Sequence, residues 1–229
     1  MKIDIISVIP DLLQSPFAHS IMKRARDKQL LEVNVINLRD YTTYASAQLD
    51  DYAFGGGAGM VMMIEPLVNA IESLQKTTTY DEVIFLTPDG QTFNQQMANS
   101  FSLKNNLLLI CGHYKGIDER VREHFVTKEI SIGDYVLSGG ELAAAVLVDA
   151  IGRLLPGVLN DETSALTDSF QDNLLAPPVY TRPVDFRGWK VPDVLLSGNH
   201  KLIEEWRHNK AIKRTEERRP DIISNDTTL

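Results

Sequence analysis

A carboxylate and a guanidinium that meet one ligand can remove a proton and stabilise the negative charge left behind. Arg153 and Asp168 are candidates for that pair, the first at the end of an apolar helical stretch and the second in a polar segment beyond it. On spacing alone most such residues are capping or solvated groups. Three glycine-rich segments offer another chemistry, ligand binding by backbone. They follow apolar runs ending at Leu86, Cys111 and Ile130, and read TPDG, GHYKG and SIGDYVLSGG. None is GxGxxG or GxxxxGK[ST], so a dinucleotide fingerprint and a phosphate loop are both absent. Few ionisable side chains lie in them, which suits a base-like group held by N–H and C=O rather than a polyphosphate. A fourth stretch, QLDDYAFGGGAGMVMM, couples Asp50 and Asp51 to two aromatics and to Gly55, Gly56, Gly57 and Gly59. That mixture suits stacking on a splayed nucleotide, and equally a tight surface turn with its methionines in the core. His19, His113, His124, His200 and His208 have no metal-ligand spacing, nor does any Cys/His cluster.

The elements that must position these residues alternate. Residues 2–9 read as a strand, 15–30 as a helix, 31–38 as a strand and 39–54 as a polar loop, followed by a helix over 65–75. A short buried strand at 83–86 closes in the turn Thr87-Pro88-Asp89-Gly90, and 94–101 is helical. A strand at 107–111, a helix at 117–125 and a strand ending near Ile130 and Ile132 follow. Ser138 is placed to cap the next helix, in which Leu142, Val146, Asp149 and Arg153 share one face. Strand–helix alternation predicts a parallel sheet covered by helices, with ligands in the loops beyond the carboxyl ends of its strands. After Pro156 and Gly157 the character changes. Residues 160–167 read as a linker, four prolines break up the next stretch, and Asn199 can cap a helix with Leu202, Ile203 and Trp206 as its apolar stripe. A small helical domain is the expected outcome.

Bulk properties narrow the class. The chain has 229 residues, 43% hydrophobic and 24% charged, in the range of folded globular proteins. A single cysteine, Cys111, cannot form an intramolecular disulfide, and a reducing cytoplasm fits best. No apolar run approaches the roughly 20 residues of a membrane helix, and the start carries no cleavage site. The net charge of −8 argues against a chain that grips nucleic acid over its whole surface. Basic residues nevertheless crowd two places, residues 23–28 and 201–219, which can meet phosphate or form ion-paired helix faces.

The strings GGGAGMVMM, CGHYKGIDERV, SIGDYVLSGGEL, PGVL, DSF, YTRP and VPDVLLSGNH resemble, in the same order, the motifs of the bacterial tRNA (guanine-N1)-methyltransferases of the SPOUT class. The resemblance spans nearly the whole chain. It implies an α/β parallel sheet with a deep trefoil knot over residues 1–159, an interdomain linker over 160–172, and a small C-terminal helical tRNA-binding domain over 173–229. It also implies a cytoplasmic homodimer with its active site at the subunit interface. S-adenosylmethionine would lie against Leu86, Thr87, Pro88, Gly112, Tyr114, Ser131, Ile132, Gly133, Asp134, Tyr135, Val136 and Leu137, with Gly139 and Gly140 closing over it. Asp168 would be the base and Arg153 the oxyanion cation in methylation of N1 of guanosine 37, 3′ of the anticodon. Asp50, Asp51, Gly55, Gly56, Gly57 and Gly59 would seat the guanosine. The sequence also departs from the family pattern, with His113 in place of Arg, Lys115 in place of Glu and Ala176 at a commonly acidic position. The family's activity is linked to Mg²⁺ through acidic residues, so these changes put a Mg²⁺ requirement in question and no metal ligand is carried over. A homologue that binds tRNA or senses the cofactor without turnover is the alternative.

Overall fold

The computed structural model describes residues 1–159 and 168–224. The chain divides into two compact units, Met1–Asn160 and Asp161–Leu229. Residues 160–167, the first part of the expected linker, lie outside the described residues.

Unit 1 is built on five strands, β1 (Lys2–Ser7), β2 (Glu32–Asn37), β5 (Glu82–Thr92), β6 (Asn106–Cys111) and β7 (Lys128–Ser131). They form one sheet in the order β2-β1-β6-β5-β7, and every pairing is parallel. Parallel strands are covered on both faces, so their sequences run apolar without clean alternation, as IDII and LLLIC do here. On one face Ile3, Ile5, Leu107, Leu109, Ile84 and Leu86 pack under α1 (Ser20–Asp27), α3 (Gln95–Ser102) and α5 (Glu141–Gly152). On the other, Ile6, Leu108, Ile110, Val83 and Phe85 pack under α2 (Ile64–Gln75) and α4 (Glu119–Phe125). Asp4, the charge inside β1, is 1% exposed and is held by Lys2, by Asn34 and by the Tyr80 hydroxyl. Burial, and then that carboxylate, push the Tyr80 phenol well above its ordinary range.

Several boundaries differ from the sequence expectation for tertiary reasons. The loop expected over 39–54 ends in a strand, β3 (Asp50–Tyr52), which forms an antiparallel hairpin with β4 (Met60–Met62). Met62 also bridges Ile117, so α4 starts two residues later than expected, capped by the Asp118 carboxylate on the Arg120 N–H. Strand β5 does not stop at Leu86. It bulges through Thr87–Gly90 and rejoins β7, Leu86 and Gln91 both pairing with Ile130. A Cβ on Gly90 would lie 2.5 Å from the Glu129 backbone, so only glycine lets the bulge lie this close to β7. The N-cap of α5 is Gly140 rather than Ser138. The face carrying Leu142, Val146 and Asp149 is the outward one; Ala144, Leu147, Val148 and Ile151 form the buried face.

Unit 2 contains a short hairpin, β8 (Asp185–Phe186) with β9 (Trp189–Lys190), then α6 (His200–Arg218) and α7 (Pro220–Ser224). Asn199 caps α6 as expected, its side chain accepting from the Leu202 N–H at 3.3 Å. Ala211 and Thr215 are the buried positions of that helix. The Thr215 hydroxyl donates to the Ala211 carbonyl at 2.7 Å and accepts from the Leu175 N–H at 2.9 Å. Trp206 is half-buried beside Tyr180 and under the Lys210 ammonium. Leu202, expected in the stripe, is 47% exposed. Lys201, Arg207, Lys210, Lys213 and Arg218 face outward. Among the described residues no helix is long and apolar enough to cross a membrane.

Candidate active site

Strands β6, β5 and β7 are neighbours, so the three glycine-rich segments that leave them emerge side by side. They enclose a cavity of about 500 Å³, within the range that takes a cofactor-sized ligand. From the β5 bulge come Leu86, Thr87, Pro88 and Asp89; from the loop after β6, Gly112, His113, Tyr114, Lys115 and Gly116. From the segment after β7 come Ser131, Ile132, Gly133, Tyr135, Val136, Leu137, Ser138, Gly139 and Gly140. Asp134 belongs to the same run, is exposed, and does not line the cavity.

Glycine is required where these loops cross. Gly140 donates its N–H to the Gly112 carbonyl at 2.8 Å, and a Cβ on Gly140 would come within 2.7 Å of the Cys111 Cα. A Cβ on Gly112 would meet the Phe85 ring at 2.9 Å. The absence of side chains at Gly112 and Gly140 thus lets the loop after β6 and the start of α5 pack backbone against backbone at the cavity wall. Tyr114, in the left-handed region at φ 58°, and Tyr135 stand at the rim as half-exposed aromatics.

Sequence reasoning passed over the charges around this wall. Asp89 in the bulge accepts from Thr87 and from Arg122 Nη2 at 2.8 Å, and Arg122 also reaches Glu129 on β7 at 2.7 Å through Nε. The guanidinium lies over the Phe85 ring, 5.5 Å from its centroid. The Thr87 hydroxyl first, then Arg122, hold the Asp89 carboxyl below its ordinary range; Glu129 and then Asp89 raise the Arg122 guanidinium. This network ties the bulge, α4 and β7 together at the cavity floor. Only the helical spacing of Glu119 and Arg122 hinted at it. Glu141, 1% exposed in the first turn of α5, was also missed.

Cys111 is fully buried beneath the same wall, and burial, with the Glu141 charge as a lesser cause, pushes its thiol well up. Native protein should therefore resist iodoacetamide at about pH 8 while urea-unfolded protein is labelled to completion, as read by intact mass. Fast labelling of the native form would show that the loops open.

The remaining candidates lie elsewhere. Asp50 and Asp51 sit on β3, and Gly55, Gly56, Gly57 and Gly59 form the hairpin tip, all with positive φ. The hairpin meets the cavity through Val61, which lines it, and through Lys115, which lies across Gly59, its Cγ 2.8 Å from where a Cβ would be, and whose N–H donates to the Met60 carbonyl at 2.9 Å. Arg153 is the C-cap of α5. Asp168 belongs to unit 2, where it lines an open cavity of about 1030 Å³ with Tyr180, Arg182, Arg207 and His208. No group of three or more His, Cys, Asp or Glu poised for a metal occurs among the described residues.

An open parallel sheet with a backbone-lined cavity at the carboxyl ends of three adjacent strands defines an α/β protein of the ligand-binding kind. The chain belongs to the tRNA (guanine-1)-methyltransferase TrmD family, a SPOUT family, whose profile matches residues 1–225. It is 63% identical over 226 residues to the tRNA (guanine-N(1)-)-methyltransferase of Christiangramia forsetii, covering 99% of this chain and all of that protein. The proteins of the same name from Cytophaga hutchinsonii and Bacteroides thetaiotaomicron are each 61% identical, over 227 and 223 residues, with at least 97% of each chain covered.

Proposed function

We propose that the protein transfers a methyl group from S-adenosylmethionine to N1 of guanosine 37 in tRNA. The observation that carries this reading is the single cavity formed by the three glycine-rich loops in a chain of this family. Its wall suits an adenosine-bearing cofactor, because it is lined mostly by glycines and apolar side chains and Tyr114 and Tyr135 offer aromatic faces to a base. When bound, the cofactor supplies an electrophilic methyl group on a sulfonium.

The protein's own groups do the rest. Guanine N1 carries a proton near neutral pH and is a poor nucleophile until it is removed. The Asp168 carboxylate accepts that proton as N1 takes the methyl group. Charge moves to guanine O6, where the Arg153 guanidinium stabilises it. Asp50, Asp51 and the open glycine tip seat the flipped guanosine, and the outward lysines and arginines of α6 contact phosphates. The same reading makes the enzyme a cytoplasmic homodimer with its active site at the subunit interface, and includes the trefoil knot of the family. Leu142 and Val146, about half exposed on the outward face of α5, support a subunit contact there.

The test is transfer of labelled methyl from S-adenosylmethionine to a tRNA transcript, with and without a chelator. Transfer in both arms is expected, Lys115 being a cation beside the cavity. Loss in the chelator arm would restore a metal requirement. Binding of both substrates with no transfer in either arm would favour the noncatalytic alternative.

A further inference from the structure

Glu141 is a buried charge that the reaction does not use. Its side chain is 1% exposed at the first turn of α5, outside the cavity lining. An isolated buried carboxylate is costly, so its partners matter. Oε1 accepts from the Ser7 hydroxyl at 2.6 Å, and Ser7 Oγ in turn accepts from the Ile9 N–H at 2.9 Å. Oε2 lies 2.8 Å from His113 Nε2. The N-terminal turn of α5 adds a favourable dipole. Three parts of the chain are joined here: the end of β1, the loop after β6 and the start of α5. The last two are the cavity wall.

The geometry leaves little slack. His113 and Gly139 form an isolated antiparallel bridge. A Cβ on Gly139 would come within 2.1 Å of His113 Nε2 and 2.6 Å of Glu141 Oε2, so the glycine leaves space that the His113–Glu141 contact fills. The adjacent Tyr114 meets the His113 ring edge-on at 6.0 Å and stands at the cavity rim. Displacing His113 therefore displaces Tyr114 and Gly112 as well.

We propose that Ser7 and Glu141 are positioning residues: with His113, which itself lines the cavity, they form a buried strut that sets the loop after β6 against the start of α5 and so fixes the cofactor cavity. The proposal rests on the cavity being the S-adenosylmethionine site. Ser7 and Glu141 touch no substrate and act through the loops.

The strut predicts a split in the kinetics. His113→Leu and Glu141→Leu keep approximate volume but remove the polar link, and each should raise KM for S-adenosylmethionine about tenfold or more while kcat and KM for tRNA change less than threefold. His113→Gln and Glu141→Gln, which retain hydrogen-bonding groups, should recover most of that affinity. The double Leu variant should cost no more than the worse single one, since both break one link. Calorimetric titration of S-adenosylhomocysteine into the same proteins should move in parallel, and Ser7→Ala gives a milder form of the defect if a Leu variant does not fold. Unchanged cofactor KM in folded Leu variants, an equal loss in the Gln variants, or unaltered cofactor affinity in Ser7→Ala when the Leu variants do not fold would overturn the strut. Failure of the wild-type protein to bind S-adenosylhomocysteine would instead overturn the cofactor reading itself.

Discussion

Asp168→Asn should lower kcat for methyl transfer by roughly 10²- to 10⁴-fold, the range over which a positioned general base contributes. Asparagine has the size and shape of aspartate but cannot accept the N1 proton as a carboxylate does. Binding should therefore survive, with KM for tRNA and for cofactor within about threefold of wild type, so that kcat and kcat/KM fall together. Single-turnover methylation at saturating cofactor is the measurement, because it reads the chemical step free of product release. A loss of less than tenfold would remove Asp168 from the role and leave it as one polar residue among Tyr180, Arg182, Arg207 and His208 in the cavity of unit 2.

The second large effect is steric. Gly140 has φ −80°, open to any residue, so an alanine there meets no backbone penalty of its own. What it meets is the neighbouring loop: its Cβ would stand 2.7 Å from the Cys111 Cα and 2.9 Å from the Gly112 nitrogen. These are backbone atoms of β6 and its exit, in the middle of the sheet, and they cannot turn aside as a side chain can. The 2.8 Å bond from the Gly140 N–H to the Gly112 carbonyl must stretch or break, and the wall of the cavity moves with it. Gly140→Ala should therefore weaken S-adenosylhomocysteine binding by about a hundredfold, equivalent to about 2.7 kcal/mol and within the usual cost of overpacking. Overpacking of this kind costs about 1–3 kcal/mol, which for a chain of this size lowers Tm by roughly 2–12 °C. Calorimetric titration and thermal melting check the two effects separately. An alanine variant that binds with unchanged affinity would show that the loops do not form the site.

The strands of the parallel sheet, the helices between them and their order were legible in the sequence, because hydrophobic period and turn residues act over a few neighbours, whereas the β3–β4 and β8–β9 hairpins were not. The all-parallel sheet follows from the strand–helix alternation, and the Asn199 cap from one side chain and the backbone it reaches. The glycine segments marked where a ligand could approach backbone, and the motif strings carried the family, which the match over residues 1–225 shows. The chemistry of Asp168 and Arg153 came from those strings, since spacing alone left them as ordinary polar residues.

What the sequence by itself determined, then, was an α/β chain of this methyltransferase family with three backbone-rich loops on adjacent strands. Only the tertiary structure decided how those loops fit together. The β5 bulge rejoins β7 because Gly90 can lie against Glu129, and α4 starts late because Ile117 is taken by Met62. The face of α5 that carries Leu142, Val146 and Asp149 points outward, and Ala143, Ala144 and Gly152 pack inward. Ser7 and Glu141 are 134 positions apart in the chain and 2.6 Å apart in space. A pairing at that separation leaves no local period or propensity to read, since it exists only once the sheet has brought the end of β1 beside the start of α5.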